Sequence, residues 1–320
     1  MAKLDLLVHL LILGACAVNL EGYALSKNSM KSSSDMVTHF ASSGVLSSTN
    51  TMRIKVDQPT VTQIRVDFKT FTLAQPVQAK PPLAAYTCEK DKFRAVSATG
   101  ADLLGFQNLC GENSGQHIYL YVDASEKPTY VDLIFEIGDP VAGNPAPTWN
   151  LDVTQIDCSA KPTKNLCAPP GCLQFYTEPV GKFQSFNYND GKGKYQGSLN
   201  YAICFKNIEN MCKITYTASK FQLPSDNFLE AHGQLGCNAE TTDPSDPLSS
   251  DYIFIPNAVV EKVKDSLFCG NYLETKKAIS TAPGPKSVFF HSDKVANYVS
   301  NGDEIGFMID YQQSTGDCNA

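Results

Sequence analysis

Clustered positive charge is almost missing: Lys276-Lys277 is the one adjacent cationic pair in a 320-residue chain of net charge −7. Neutralising phosphates requires a concentrated basic face, so nucleic acid is excluded as a partner. Past the N-terminal region no apolar stretch approaches the roughly 18 residues of a spanning helix, and no membrane span is expected. The five histidines, His9, His39, His117, His232 and His291, stand far apart, and no two cysteines have a two-residue gap, so zinc has no ligand pattern. No asparagine is followed two positions later by serine or threonine, which excludes the usual N-glycan. A glycine-flanked nucleophilic serine is also missing, against a serine hydrolase, whereas a converging carboxylate pair leaves no sequence signature. Low-complexity repeats and chitin-binding cysteine spacing are lacking too, against a cuticle or matrix component.

What the chain does contain begins with its compartment. Lys3 precedes a mostly apolar run, residues 6–17, ending in the small residues Ala15 and Ala17. That order of charge, apolar core and small residues reads as a secretory signal peptide, cut after Ala17 or later, near Ala24. With Cys16 in the signal, ten cysteines remain: Cys88, Cys110, Cys158, Cys167, Cys172, Cys204, Cys212, Cys237, Cys269 and Cys318. An even set in an exported chain implies disulfides.

Residues 18–50 are serine-rich and aperiodic and read as a mobile leader. Short β-branched and aromatic runs follow at 53–56, 62–68, 118–122, 132–137 and 149–156, several alternating with period two. Pro162, Pro169 and Pro170 mark residues 159–171 as a linker. Strand texture resumes at 173–176, 201–205, 213–217, 251–255, 288–291 and 306–311, while helical periodicity is suggested at 257–266. The expected fold is all-β: two tandem disulfide-bonded β-sandwiches, residues 51–158 and 172–320, behind a mobile N-terminal segment.

Gly171-Cys172-Leu173-Gln174-Phe175-Tyr176, Ser185-Phe186-Asn187-Tyr188, Tyr201-Ala202-Ile203-Cys204-Phe205, Asp251-Tyr252-Ile253-Phe254-Ile255-Pro256, Phe268-Cys269-Gly270, Ser292-Asp293 and Gly306-Phe307 occur in one fixed order. This order resembles that of an arthropod-type CUB domain. The upstream half, with Arg65-Val66-Asp67-Phe68, Cys88 to Phe93, Leu109-Cys110-Gly111 and the strand from Trp149, resembles a divergent CUB-like copy. That copy lacks the family's early cysteine pair, since residues 61–64 hold none. The resemblance implies Cys88 bonded to Cys110, Cys237 to Cys269 and Cys172 to Cys204. It leaves Cys158, Cys167, Cys212 and Cys318 open.

Many CUB domains hold calcium, and by resemblance Asp251 and Asp293 are its candidate ligands here. Calcium takes six to eight oxygens, and the early loop offers Asp190 rather than a matching glutamate. Asp91 and Asp123 fall at comparable places upstream without an evident third ligand; each aspartate reads more readily as a turn cap. His117, His232 and His291 read as core or surface residues rather than general bases. The expected function is a secreted, extracellular, non-catalytic binding module that contacts a protein or glycan through its loops. The alternatives are a secreted hydrolase with an unrecognised site, or a cuticle or matrix component.

Overall fold

A computed structural model describes residues 26–43, 46–79, 85–123, 128–140, 146–224, 237, 251–294 and 304–316. The expected signal peptide, His9, His232 and Cys318 lie outside the described residues. The first half contains β1 (Ser26–Ser33), β2 (Val37–Ala41), β3 (Ser47–Val56), β4 (Val61–Thr72), β5 (Val77–Gln78), β6 (Tyr86–Thr87), β7 (Lys92–Ser97), β8 (His117–Tyr121), β9 (Thr129–Glu136) and β10 (Thr148–Asp157). The second contains β11 (Cys172–Tyr176), β12 (Val180–Gln184), β13 (Asn200–Phe205), β14 (Lys213–Gln222), β15 (Tyr252–Phe254), β16 (Ala258–Val260), β17 (Val263–Lys264), β18 (Leu267–Phe268), β19 (Lys277–Ser280), β20 (Lys286–His291) and β21 (Gly306–Ser314). Among the described residues the only helical turns are two short 3-10 segments, Thr163–Leu166 and Asn189–Gly191.

The strands form two sandwiches of the same topology. In the first, sheets ordered β1-β3-β9-β7 and β2-β10-β4-β8 face each other; in the second, β11-β13-β20-β15-β18 faces β12-β21-β14-β19-β16-β17. Both opening pairs, β1 with β3 and β11 with β13, are parallel, and the central pairs are antiparallel in both. Alternation drives this packing: β10 buries Trp149, Leu151 and Val153 while Asp152 stays partly exposed between them. Across the first sandwich Trp149 stacks on Phe135 at 4.0 Å and Phe71 meets Phe93 edge-on at 5.5 Å. Across the second, Phe205 packs on Tyr311 at 4.5 Å and Phe290 on Phe307 at 5.3 Å. Each fully buried aromatic of this kind contributes about 1.5–3 kcal/mol.

Three expectations change. The leader assigned to residues 18–50 supplies strands from Ser26 onward, so the first sandwich begins there. β1 pairs with β3 through its backbone while Met30 is exposed, so no side-chain period marks it. Gln155, fully buried, ties the β1–β2 turn down, donating Nε2–H to Asp35 O at 3.0 Å and Lys55 O at 3.2 Å. The second change concerns residues 257–266, which form the β16–β17 hairpin instead of a helix. Glu261 and Lys262 both take positive φ, 49° and 74°, as a two-residue hairpin turn requires. The third is the linker. Residues 159–171 are cross-linked by Cys158–Cys167 and stitched to β4, where Gln63 donates to Ala168 O at 2.8 Å and accepts Ala168 N–H at 3.0 Å.

Candidate binding site between the two sandwiches

Disulfides frame both halves. Cys88 is bonded to Cys110, Cys172 to Cys204, Cys237 to Cys269, and, among the residues left open, Cys158 to Cys167. Cys212 is disulfide-bonded as well. Cys172–Cys204 ties β11 to β13, so its missing counterpart in the first copy belongs to β1 and β3, one strand earlier than residues 61–64.

The structure brings Asp251 and Asp293 together at one end of the second sandwich. Asp251 is buried; its Oδ2 accepts the Tyr195 hydroxyl at 2.6 Å and its Oδ1 accepts the Asp293 N–H at 2.7 Å. Burial, then the charges of Asp251 and Glu304, hold the Tyr195 phenol well above its ordinary pKa, so it remains a donor. Buried Glu304 belongs to this neighbourhood and carried no sequence signal; Asp190 lies instead beside Tyr188, on the turn Asn189–Gly191. The first copy repeats the anchor without the second acid. Asp91 accepts the Ala74 N–H at 2.9 Å and the Gly138 N–H at 3.1 Å, and Gly138 stands two residues past β9 as Asp293 stands two past β20. Asp123 follows β8 and does not hold that place. In both copies, then, an aspartate clamps the chain that leaves the central strand. Among the described residues no three His, Cys, Asp or Glu side chains converge as a metal group, although Asp251, Asp293 and Glu304 all act on the Tyr195 phenol.

The sandwiches meet along the outer face of β4 and β8. His117 is buried, and its Nε2 accepts the Phe175 N–H at 3.0 Å. Burial, then the positive charge of Arg65, lowers its pKa from 6.5 to about 3. Tyr119 packs edge-on against Phe175, with Ile156, Ala168 and the Cys172–Cys204 bridge in the same cluster. The Tyr121 hydroxyl lies 2.5 Å from Pro169 O and accepts the Cys172 N–H at 3.1 Å; burial pushes its pKa up to about 12. Asn187, at φ 56°, reaches the other way: its Oδ1 accepts the Glu112 N–H at 2.7 Å and its N–H donates to Asn113 Oδ1 at 2.8 Å. Nearly every buried polar group at this face is answered across the junction, which fixes one relative position of the two sandwiches.

At one edge of the junction the two halves leave a cleft of about 400 Å³. The first sandwich contributes Tyr86, Thr87, Glu89, Lys92, Phe106 and Asn108; the second contributes Gln196, Gly197, Ser198, Leu199 and Lys294. Backbone bonds hold its walls: Gly197 N–H to Tyr86 O at 3.0 Å, Ala85 N–H to Lys294 O at 3.0 Å and Ser198 N–H to Asp293 O at 2.7 Å. Gly197 is needed for this approach, since a Cβ there would lie 2.2 Å from Ala85 Cβ and 2.6 Å from Asp293 O. The aspartate clamp therefore positions one wall of the cleft, a role the sequence could not reveal.

The other two described histidines are structurally engaged. His39 pairs with Asp152 at 2.6 Å on the exposed face of β2 and β10, and His291 stacks on Tyr252 at 5.0 Å.

Fold and disulfides define a disulfide-bonded β-sandwich protein, and residues 169–314 match the family model described as animal CUB domain. CUB domains are, as a class, extracellular protein-interaction modules, and calcium is a frequent ligand of theirs. No curated protein matches the chain. Among solved structures, the CUB1-EGF-CUB2 domains of rat MASP-1 align over 88% of this chain and 99% of theirs at 14% identity, with a TM-score of 0.29. The CUB1-EGF-CUB2 domain of human MASP-1/3 aligns over 88% of this chain and 100% of its own at 16% identity, with a TM-score of 0.28.

Proposed function

We propose that the chain is a secreted, extracellular interaction module, non-catalytic, that contacts a protein or glycan through loops where its two CUB-like sandwiches meet. The observation that carries this reading is the cleft at the junction, because both halves build it and the buried contacts behind it hold them in one geometry. Disulfides across both sandwiches suit an oxidising, extracellular setting. Catalysis by His117 is disfavoured, since the Nε2 lone pair a general base would use already accepts the Phe175 N–H. His39 and Asp152 form a hydrogen-bonded pair between register neighbours on an open face, as surface strands commonly do.

A diazirine side chain placed at Gln107, which lines the cleft and is exposed, tests this reading against the same group at exposed Lys264 on β17. Irradiation of the secreted chain in extracellular fluid should give a discrete adduct from position 107 and not from 264. Equal labelling at both, or none at 107, would overturn it.

A further inference from the structure

Two lysines line the cleft, Lys92 and Lys294, and among the described residues neither has an ion-pair partner. The acid in the same lining, Glu89, accepts the Thr87 hydroxyl at 2.8 Å. With two ammonium groups against the one carboxylate of Glu89, the lining carries a net +1 in a chain of net −7, which favours an anion there over the rest of the surface. The volume, about 400 Å³, is that of a small-ligand site.

We propose that this cleft binds an acidic saccharide unit whose carboxylate reaches Lys92 and Lys294; the proposal rests on the binding-module reading above. Sugar hydroxyls donate and accept at once, and the lining answers in kind with Thr87, Gln107, Asn108, Gln196 and Ser198. Gln196 is 6% exposed; its Nε2 donates to Asn108 O at 3.2 Å, and its Oε1 has no hydrogen-bond partner. The half-buried Tyr86, with the edge of Phe106 beside it, supplies apolar surface for the C–H face of a sugar ring. An acidic peptide that docked by strand addition would find no free edge here. Here β5 covers one edge of β6, and on the other Tyr86 O is taken by the Gly197 N–H.

Calorimetric titration of the full secreted chain with sialyllactose and with a glucuronate-containing tetrasaccharide tests the proposal, with lactose and tetraglutamate as controls. At least one acidic saccharide should bind and lactose should not. Lys294→Gln should weaken binding about tenfold, the loss of one charge-assisted hydrogen bond. The double variant Lys92→Gln/Lys294→Gln should abolish binding, and Gln107→Trp should block the cleft with both charges intact, each at an unchanged melting temperature. Raising ionic strength from about 0.05 to about 0.5 M should weaken binding several-fold. Failure of both acidic saccharides to bind, binding that survives the double variant, or tetraglutamate binding as tightly would each overturn the proposal. An adduct at position 107 that contains no acidic sugar would leave the interaction module standing and remove this ligand class alone.

Discussion

Acid should loosen this protein through one imidazole. His117 sits between the sandwiches, facing Arg65 and Asp67 from β4, Tyr119 on its own strand and Tyr176 from β11. Its pKa falls from 6.5 to about 3 on folding, chiefly through burial. Between those values the unfolded chain binds a proton that the folded chain refuses. The contribution of His117 is therefore complete above pH 6.5 and is lost as pH falls toward 3. Each pKa unit corresponds to about 1.36 kcal/mol, so the loss at pH 5 is about 2 kcal/mol and its limit is near 5 kcal/mol. Gln in place of His117 keeps an acceptor for the Phe175 N–H and cannot titrate. Urea unfolding at pH 7.5 and pH 5.0 should show wild type losing about 2 kcal/mol more than His117→Gln, since His39, His291 and the carboxylates are common to both. Equal losses would mean that the ring is not held neutral at the junction, and the account of the interface would fail with it.

Gly197→Ala places a methyl group against Ala85 and Asp293 O, so it should separate the cleft walls and destabilise by about 1–3 kcal/mol, read as a lower melting temperature and faster hydrogen exchange at the Gly197 amide. Asp91→Ala removes the acceptor of the Ala74 and Gly138 amides and should cost about 3 kcal/mol in denaturant unfolding; a loss below about 0.5 kcal/mol would show that the clamp is incidental. Melts in several millimolar calcium and in chelator should coincide, because among the described residues no three acidic side chains converge as a metal group. A shift of several degrees that Asp293→Asn abolishes would show instead that this pair ligates the ion.

Strands that bury one face were legible because alternation leaves a mark: β4, β8 and β10 each pair a buried row with a row turned to solvent or to the other sandwich. β1 was not legible, since an edge strand held by backbone bonds needs no particular side chains. The β16–β17 hairpin was misread because apolar residues at Ala258 and Val260 fit either period over so short a run, and Glu261-Lys262 is not a usual pair for positive φ. Asp251 and Asp293 could be named from resemblance, but their partners could not. Tyr195 and Gly138 act through contacts between segments tens of residues apart. The cleft was invisible for the same reason, as its lining comes from residues 86–108, 196–199 and 294.

Comparison of the two copies shows where a covalent bond is needed. Cys172–Cys204 belongs to the cluster that holds Tyr119, Ile156 and Phe175, so it stiffens the face on which the first sandwich docks. At the equivalent place between β1 and β3, residues 28–32 of β1 are exposed. There Asn50 does the tying, donating to Ser47 O at 2.6 Å and accepting the Ser29 hydroxyl at 3.2 Å. Replacing both Cys172 and Cys204 with serine should therefore act first on the junction. Opening a loop with a sequence separation of 32 costs about 4 kcal/mol of chain-entropy stabilisation. The local signature should be lost hydrogen-exchange protection at the Phe175 amide, which bonds His117, while the Phe71 and Phe93 amides deep in the first sandwich keep theirs. Protection at Phe175 that matches wild type would show that the noncovalent contacts alone fix the two sandwiches.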